Sequence, residues 1–467
     1  MEIYESSRRP HPVFLPFNTS RISMATSSDL SRVSTMQAEV SEKKDYVVGK
    51  EDYLDSSLPS RAPSPPLLDV PDGGLTAWLQ VSGSFFLIFN SWGIFNSFGA
   101  FQAFYQENML QDTPASTISW IGSLEGALLL MGGIFTGPIF DLGYFRTLAT
   151  FGSLTIVFGM MMLSLSTRYY QIILSQGLVV GIGCGCLFVP SVAIISTYFH
   201  RRRSLASGIA MSASALGGVV YPAVFRQLQP QLGFAWATRI IGFIALGLSL
   251  FSLSVMKQRQ TTRTKRAFLE PGAFRETPYT MFCIANALTF MGAYVPFFYG
   301  TAFVEAHTGA SRSLATYVVA ILNAASTVGR IVPNFFADVC GPLNVLTPTA
   351  FATAVVAFCW IPVHDVGGFA TFGVLYGLLS GALIALGPGA IGSLTVDVGR
   401  VGTRMGMSFA IAGLGLLVGT PSAGALVDLE TGSFVKAQIF NGVVVLTCAF
   451  FMLAARVSKV GWDVAKA

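Results

Sequence analysis

Charge is what this sequence has least of. Of 467 residues only 11% are Asp, Glu, Lys or Arg, against about 25% in a typical soluble chain, too few to cover a soluble surface of that size. Histidine is scarce as well: the four, at positions 11, 200, 307 and 364, form no ligand pattern. There are six cysteines. Cys184, Cys186, Cys283, Cys359 and Cys448 lie inside apolar runs and Cys340 ends one, which suits small packing residues better than a disulfide framework. Cys184 and Cys186 stand closer than zinc ligands are usually spaced. No Ser/His/Asp set and no nucleotide loop is present; GIGCGC, Gly181 to Cys186, lies within an apolar run with no strand before it and reads as helix packing. No enzyme, cofactor or metal is expected, and a net charge of +5 on so apolar a chain gives no reason to expect a nucleic acid.

What is abundant is apolar. Hydrophobic residues make up 52%, with 48 Gly and 38 Phe and a mean hydropathy of +0.60, the composition of a polytopic helical membrane protein in which glycine lets helices approach and lipid accepts the exterior. Residues 1–73 are rich in Ser and Pro with no sustained period and read as a disordered cytoplasmic tail, not a secretory signal. Apolar runs follow near 76–99, 117–138, 147–166, 172–197, 204–225 and 234–256, then near 278–302, 314–337, 345–363, 368–391, 404–425 and 435–456. Each is long enough to cross a hydrocarbon core, which takes about 20 residues. The chain is therefore expected to be an all-α membrane protein of twelve transmembrane helices. Residues 74–256 and 277–456 form its two six-helix halves, joined by a cytoplasmic loop over 257–276 and followed by a tail over 457–467.

The positive-inside rule orients it. The loop Lys257–Glu276 holds six basic and two acidic residues; placing it in the cytoplasm also places there Arg146, Arg201 to Arg203, Arg400, Arg404, Arg456 and Lys459, and leaves Arg168, Arg226, Arg312 and Lys436 outside. The halves repeat one another. Span two ends in GGIFTGPIFDLG and span eight in GRIVPNFFADVCG, each with one Asp in the short loop. Gly183 to Pro190 in span four matches Gly381 to Pro388 in span ten. Arg203, Gly208, Gly217 and Pro222 in span five match Arg404, Gly406, Gly415 and Pro421 in span eleven. A duplicated six-helix unit is the architecture in which substrate binds near mid-membrane between two rocking halves.

Two motifs carry a finer likeness. PDGGLTAW, Pro71 to Trp78, and the stretch containing Tyr198, Phe199, Arg201, Arg202, Leu205, Ala206, Gly208 and Ala210 resemble signatures of the major facilitator superfamily, and within it the monocarboxylate transporter-like branch of fungal type, over roughly residues 71 to 456. The resemblance implies an alternating-access transporter. It implies that Asp141 and Asp338, in loops similar to the superfamily's loop between spans two and three, serve as gates, alongside the fifth-span residues Arg201, Arg202 and Gly208. Pro222 and Pro421 are hinge candidates near the outer ends of small-residue helices. It also implies that Arg330 in span eight engages a substrate carboxylate, a role its bidentate fork suits. The alternative for Arg330 is a tie to backbone carbonyls. The sequence departs from the branch where proton-coupled relatives carry a Lys in span one, here Asn96, and an Asp one turn before the arginine, here Ser326.

An ionisable side chain deep in a span is costly and marks function by default; Glu125 in span two is the candidate proton carrier. Asn90, Asn96, Asn323, Tyr299 and Tyr376 are the further substrate-binding candidates, with helix-to-helix hydrogen bonding as the alternative for each Asn. The aromatic stretch Tyr294 to Tyr299 fits a bulky, partly apolar substrate. The leading expectation is a secondary active transporter of a small organic anion such as a monocarboxylate. The alternative is efflux of a more apolar secondary metabolite, and a non-transporting membrane receptor is the third reading. Expected partners are the substrate, the bilayer and protons as coupling ion, for a monomer in the plasma membrane, with the vacuolar membrane as the other location.

Overall fold

The computed structural model describes residues 72–259, 269–395, 397–427 and 433–463. The tail up to residue 71 and the middle of the central loop lie outside the described residues. The described residues form twelve helical crossings. They are α1 (Gly74–Phe104), α2 (Thr117–Asp141), α3 (Phe145–Leu163), α4 (Tyr169–Thr197), α5 and α6 as the two arms of Arg203–Val255, α7 (Thr277–Thr308), α8 (Arg312–Cys340), α9 (Pro342–Phe358), α10 (Val366–Leu394), α11 (Val401–Leu426) and α12 (Val435–Val460).

Among the described residues, eight helices are long and apolar enough to cross a membrane by length and composition. The arm pair α5–α6 counts among these once, as Arg203–Val255, although Gly233, with φ of 76° and ψ of 168°, breaks the helix between the two arms. α5 extends beyond its apolar run, and at the break a glycine takes a positive φ that L side chains rarely adopt. Elsewhere the helix ends follow local chemistry. Ser311 caps α8 by accepting from the Leu314 amide and Asp365 caps α10 by accepting from Gly368. Gly341, with φ 98°, ends α8 and permits the immediate turn into α9.

Within the first half α1 packs along the α5–α6 arms and α3 along α4; within the second, α8 packs on α10 and α12 on both α7 and α9. The halves meet along two mirrored seams, α2 on α11 and α5 on α8. Large apolar side chains including Phe151, Phe158, Phe243, Leu250, Phe336 and Phe450 remain exposed on the outside of the bundle, where lipid would cover them. The buried aromatic cluster of Phe303, Trp360, Phe369, Phe372 and Phe434 closes the end of the second half remote from the arginine triplet.

Candidate functional site

The sequence repeats become contacts between the halves. Asp141, at the end of α2, accepts from the amides of Gly402 (3.1 Å) and Thr403 (2.7 Å) and from the Thr403 hydroxyl (2.7 Å), so it caps the start of α11. Asp338, at the end of α8, accepts from the amides of Ser204 (2.7 Å) and Leu205 (2.9 Å) at the start of α5. Each carboxylate of one half thus sits on the positive end of a helix of the other, where anion and helix dipole attract. A turn deeper the backbones almost touch. A Cβ on Gly406 would run into the Gly133 carbonyl, and one on Gly208 into the Arg330 carbonyl. Only glycine fits these two positions.

More of the basic residues gather at this end. Arg404 bridges Glu270 (3.1 Å) and Glu276 (2.6 Å) of the central loop and bonds the Leu394 carbonyl, while Arg400 reaches Glu270 at 2.7 Å. Burial works against the Glu270 carboxylate, but the hydrogen bonds and charges of Arg404 and Arg400 outweigh it and hold its pKa below the usual range. The Arg203 guanidinium occupies the space that a side chain on Gly392 would need. Arg201 and Arg202 are exposed, and the Arg201 amide donates to Asp72 at 2.7 Å. Asp72 also accepts from His200, and its own amide donates to the Tyr198 carbonyl. The two sequence motifs therefore hold each other: the Asp of PDGG caps the turn that leads into α5.

Away from this sealed end a cavity of about 550 Å³ opens between α1, α5, α7 and α8, one pair of helices from each half. Asn96 and Asn323 face it from opposite halves, on either side of Gly218. Phe95, Tyr294, Phe297 and Phe298 supply its aromatic wall, with Arg226 and Glu305 towards its mouth. Pro222 lines it too, whereas Pro421 sits within α11 near its outer end. Asn96 also donates to the Ser214 carbonyl at 3.1 Å, which fixes its rotamer.

The remaining binding candidates are placed elsewhere. Asn90 donates to the Ala245 carbonyl (2.9 Å) and Ser249 hydroxyl (3.0 Å) and accepts from Tyr221 (2.8 Å), tying α1 to α5 and α6. Tyr376 donates to the Ala293 carbonyl and Asn441, tying α10 to α7 and α12. Tyr299 donates to the Thr420 carbonyl, tying α7 to α11. Arg330 is 2% exposed and lies one layer behind the cavity wall. Its guanidinium donates to the Met211 carbonyl of α5 at 3.0 Å and to Ser326 at 3.3 Å. The Tyr294 hydroxyl stands next to it without forming a hydrogen bond of good geometry. In this conformation Arg330 makes a tie between the halves.

An aromatic block escaped the sequence reading. Trp92 of α1 stacks on Tyr294 with ring planes 14° apart and meets Phe188 of α4 and Phe290 of α7 edgewise or tilted, while Phe409 of α11 packs on Phe188 and Phe290. Rings from both halves thus stand between the cavity and the sealed end. No sequence signal separates these aromatics from those that face lipid. Glu125 of α2 is wholly buried, away from the cavity, with neither oxygen hydrogen-bonded.

Twelve crossings in two halves around a cavity sealed at one end define a membrane transporter of small molecules. The family model described as Major Facilitator Superfamily matches residues 81–332, and the chain belongs to that family. It is 45% identical over 385 residues to the MFS-type transporter dbaD of Emericella nidulans, covering 82% of this chain and 87% of that one. It is 36% identical to the aspyridones efflux protein apdF of the same organism (85% and 81% covered), and 35% identical to the agnestins efflux protein AgnL12 of Paecilomyces divaricatus (93% and 98% covered). Among solved structures it is similar in fold to the human organic anion transporter MFSD10, with a TM-score of 0.66 at 12% identity, covering 83% of this chain and 100% of that one.

Proposed function

We propose that the protein is a secondary active transporter that exports a partly apolar secondary metabolite by alternating access. Its binding path is the cavity between α1, α5, α7 and α8, and its cytoplasmic gate is the end carrying Asp141 and Asp338. The observation that carries this reading is the chemistry of the cavity wall: Phe95, Phe297, Phe298 and Tyr294 with the neutral amides of Asn96 and Asn323. Such a wall suits a ligand that stacks and accepts a few hydrogen bonds. The names of two relatives, efflux proteins for aspyridones and agnestins, favour export over the organic-anion reading with which the sequence analysis began. One observation keeps an anionic substrate as the second reading: Arg330 lies directly behind Tyr294, and breaking its bond to Met211 would free it to face the cavity. The termini and the central loop are placed in the cytoplasm on the distribution of arginines, the protein acts as a monomer, and the plasma membrane is the proposed location.

Uptake into inside-out membrane vesicles of radiolabelled aromatic metabolites and of monocarboxylates tests this. Accumulation of an aromatic metabolite, lost in Phe298→Ala and Asn96→Ala and kept in Arg330→Lys, is expected. Movement of a monocarboxylate alone, abolished in Arg330→Lys, would replace this reading by the second.

A further inference from the structure

The inner end of the cavity holds two buried donors without partners. Tyr294 of α7 lines the wall and is 2% exposed; its hydroxyl makes no hydrogen bond of good geometry, although the Arg330 guanidinium stands beside it. Trp92 of α1 is 1% exposed, and its indole Nε1 is unpartnered as well. The two rings stack with planes 14° apart and centroids 6.1 Å apart. Phe95 and Asn96 line the cavity, and Trp92 precedes them by one helical turn, so it lies on the same face of α1, nearer the sealed end.

A buried polar group is normally hydrogen-bonded, and one left unpaired costs stability. Packing alone does not ask for these two residues. Their neighbours are phenylalanines: Phe95, Phe188 and Phe290 around Trp92, and Phe95, Phe290 and Phe298 around Tyr294. A further Phe at either place would keep ring contacts and leave no polar atom unpaired. The donors also come one from each half, at the level where the path through the molecule is closed by rings.

We propose that Trp92 and Tyr294 are the specificity-determining pair of the binding path, selecting a planar aromatic metabolite that carries carbonyl or quinone oxygens. An indole N–H can only donate, so Trp92 requires an acceptor. The Tyr294 hydroxyl donates likewise to an oxygen on a ring laid against Phe95 and Phe298. A ligand without such oxygens leaves both donors unpaired, and a site built on donors discriminates most strongly against that kind of ligand. Because the pair joins α1 to α7, its stack parts when the halves separate at the sealed end, and the indole edge then faces a ligand arriving from that side. Arg330 takes no part in this selection, being held by Met211 and Ser326. The selection deepens the export reading and rests on it.

Anthraquinone and anthracene share the same fused rings and differ in the carbonyl oxygens, which makes them matched probes. Their binding to the full chain in lipid nanodiscs is measured by equilibrium dialysis, with partition into protein-free nanodiscs subtracted. The wild type should bind anthraquinone about ten-fold more tightly than anthracene. Tyr294→Phe and Trp92→Phe should each lose most of that preference while binding anthracene as the wild type does, which shows that the fold is intact. A wild type that binds both probes alike or binds neither, or variants that keep the full preference, overturns the proposal. If Trp92→Phe fails to fold, Tyr294→Phe decides alone. The vesicle assay separates the two readings. Uptake of no aromatic metabolite contradicts export and leaves the binding preference standing; uptake of an aromatic metabolite that lacks such oxygens, unchanged in Tyr294→Phe, contradicts the selection alone.

Discussion

Two aspartates 197 positions apart in the sequence do the same thing in opposite directions, each capping a helix of the other half. A charge-assisted hydrogen bond contributes about 1.5–3 kcal/mol, and about 1.4 kcal/mol is a factor of ten in an equilibrium. Asp141→Asn should therefore shift the balance towards opening at this end by about ten-fold, read as a longer spin-label distance between Arg146 and Cys340, which are exposed there; an unchanged distance would separate Asp141 from gating. Glu270 gives a pH dependence. Its folded-state pKa is lowered by Arg404 and Arg400, so its contribution to stability is full above the ordinary carboxylate range and is lost as pH falls through the lowered value. The thermal midpoint of the wild type should drop in acid more than that of Glu270→Gln; equal slopes would remove Glu270 as a tie. These aspartates were legible in the sequence because each recurs after a glycine-rich helix in a short loop. Arg330 was legible as a charge in a span, but its partner, the Met211 carbonyl, carries no sequence signal because every residue has one.

At the scale of helices, the small-residue faces of α5 and α11 were readable as packing surface, and the structure specifies what they pack against. Gly208 admits the backbone of α8, and Gly406 that of α2. Gly406→Ala should force the α2–α11 seam apart, lower the thermal midpoint and lengthen the Arg146–Cys340 distance at the gate, with transport reduced several-fold; a variant as stable as the wild type would mean that the seam does not need glycine at this position. The connection of α5 to α6 was not readable: the apolar runs end near 225 and resume near 234, and nothing in them shows that α5 carries on through Pro230 to a break at Gly233. The π-helical stretches Tyr105–Met109 after α1 and Ile173–Val180 within α4 left no trace in the residue pattern, because the apolar period of α4 reads equally well as regular helix. Their positions emerge only when Tyr105 and Gln176 are seen to meet.

For the whole molecule, the helical crossings and the superfamily were open to reading from apolar runs and two motifs, since lipid imposes the length and apolarity of those runs directly. Cavity chemistry was not, because a ring lining a cavity and a ring facing lipid have the same neighbours in sequence. Transport by alternating access requires the two halves to rock about that cavity, opening one end as the other closes. Spin-label distances in nanodiscs read this motion, with one pair at Arg146 and Cys340 at the sealed end and one at Asn108 and Tyr317 at the cavity mouth, all exposed positions. With the transported metabolite and a pH gradient applied, the two distances should change in opposite senses. If both pairs hold one distance under every condition, the halves do not rock, and the protein is a receptor built on a transporter's fold.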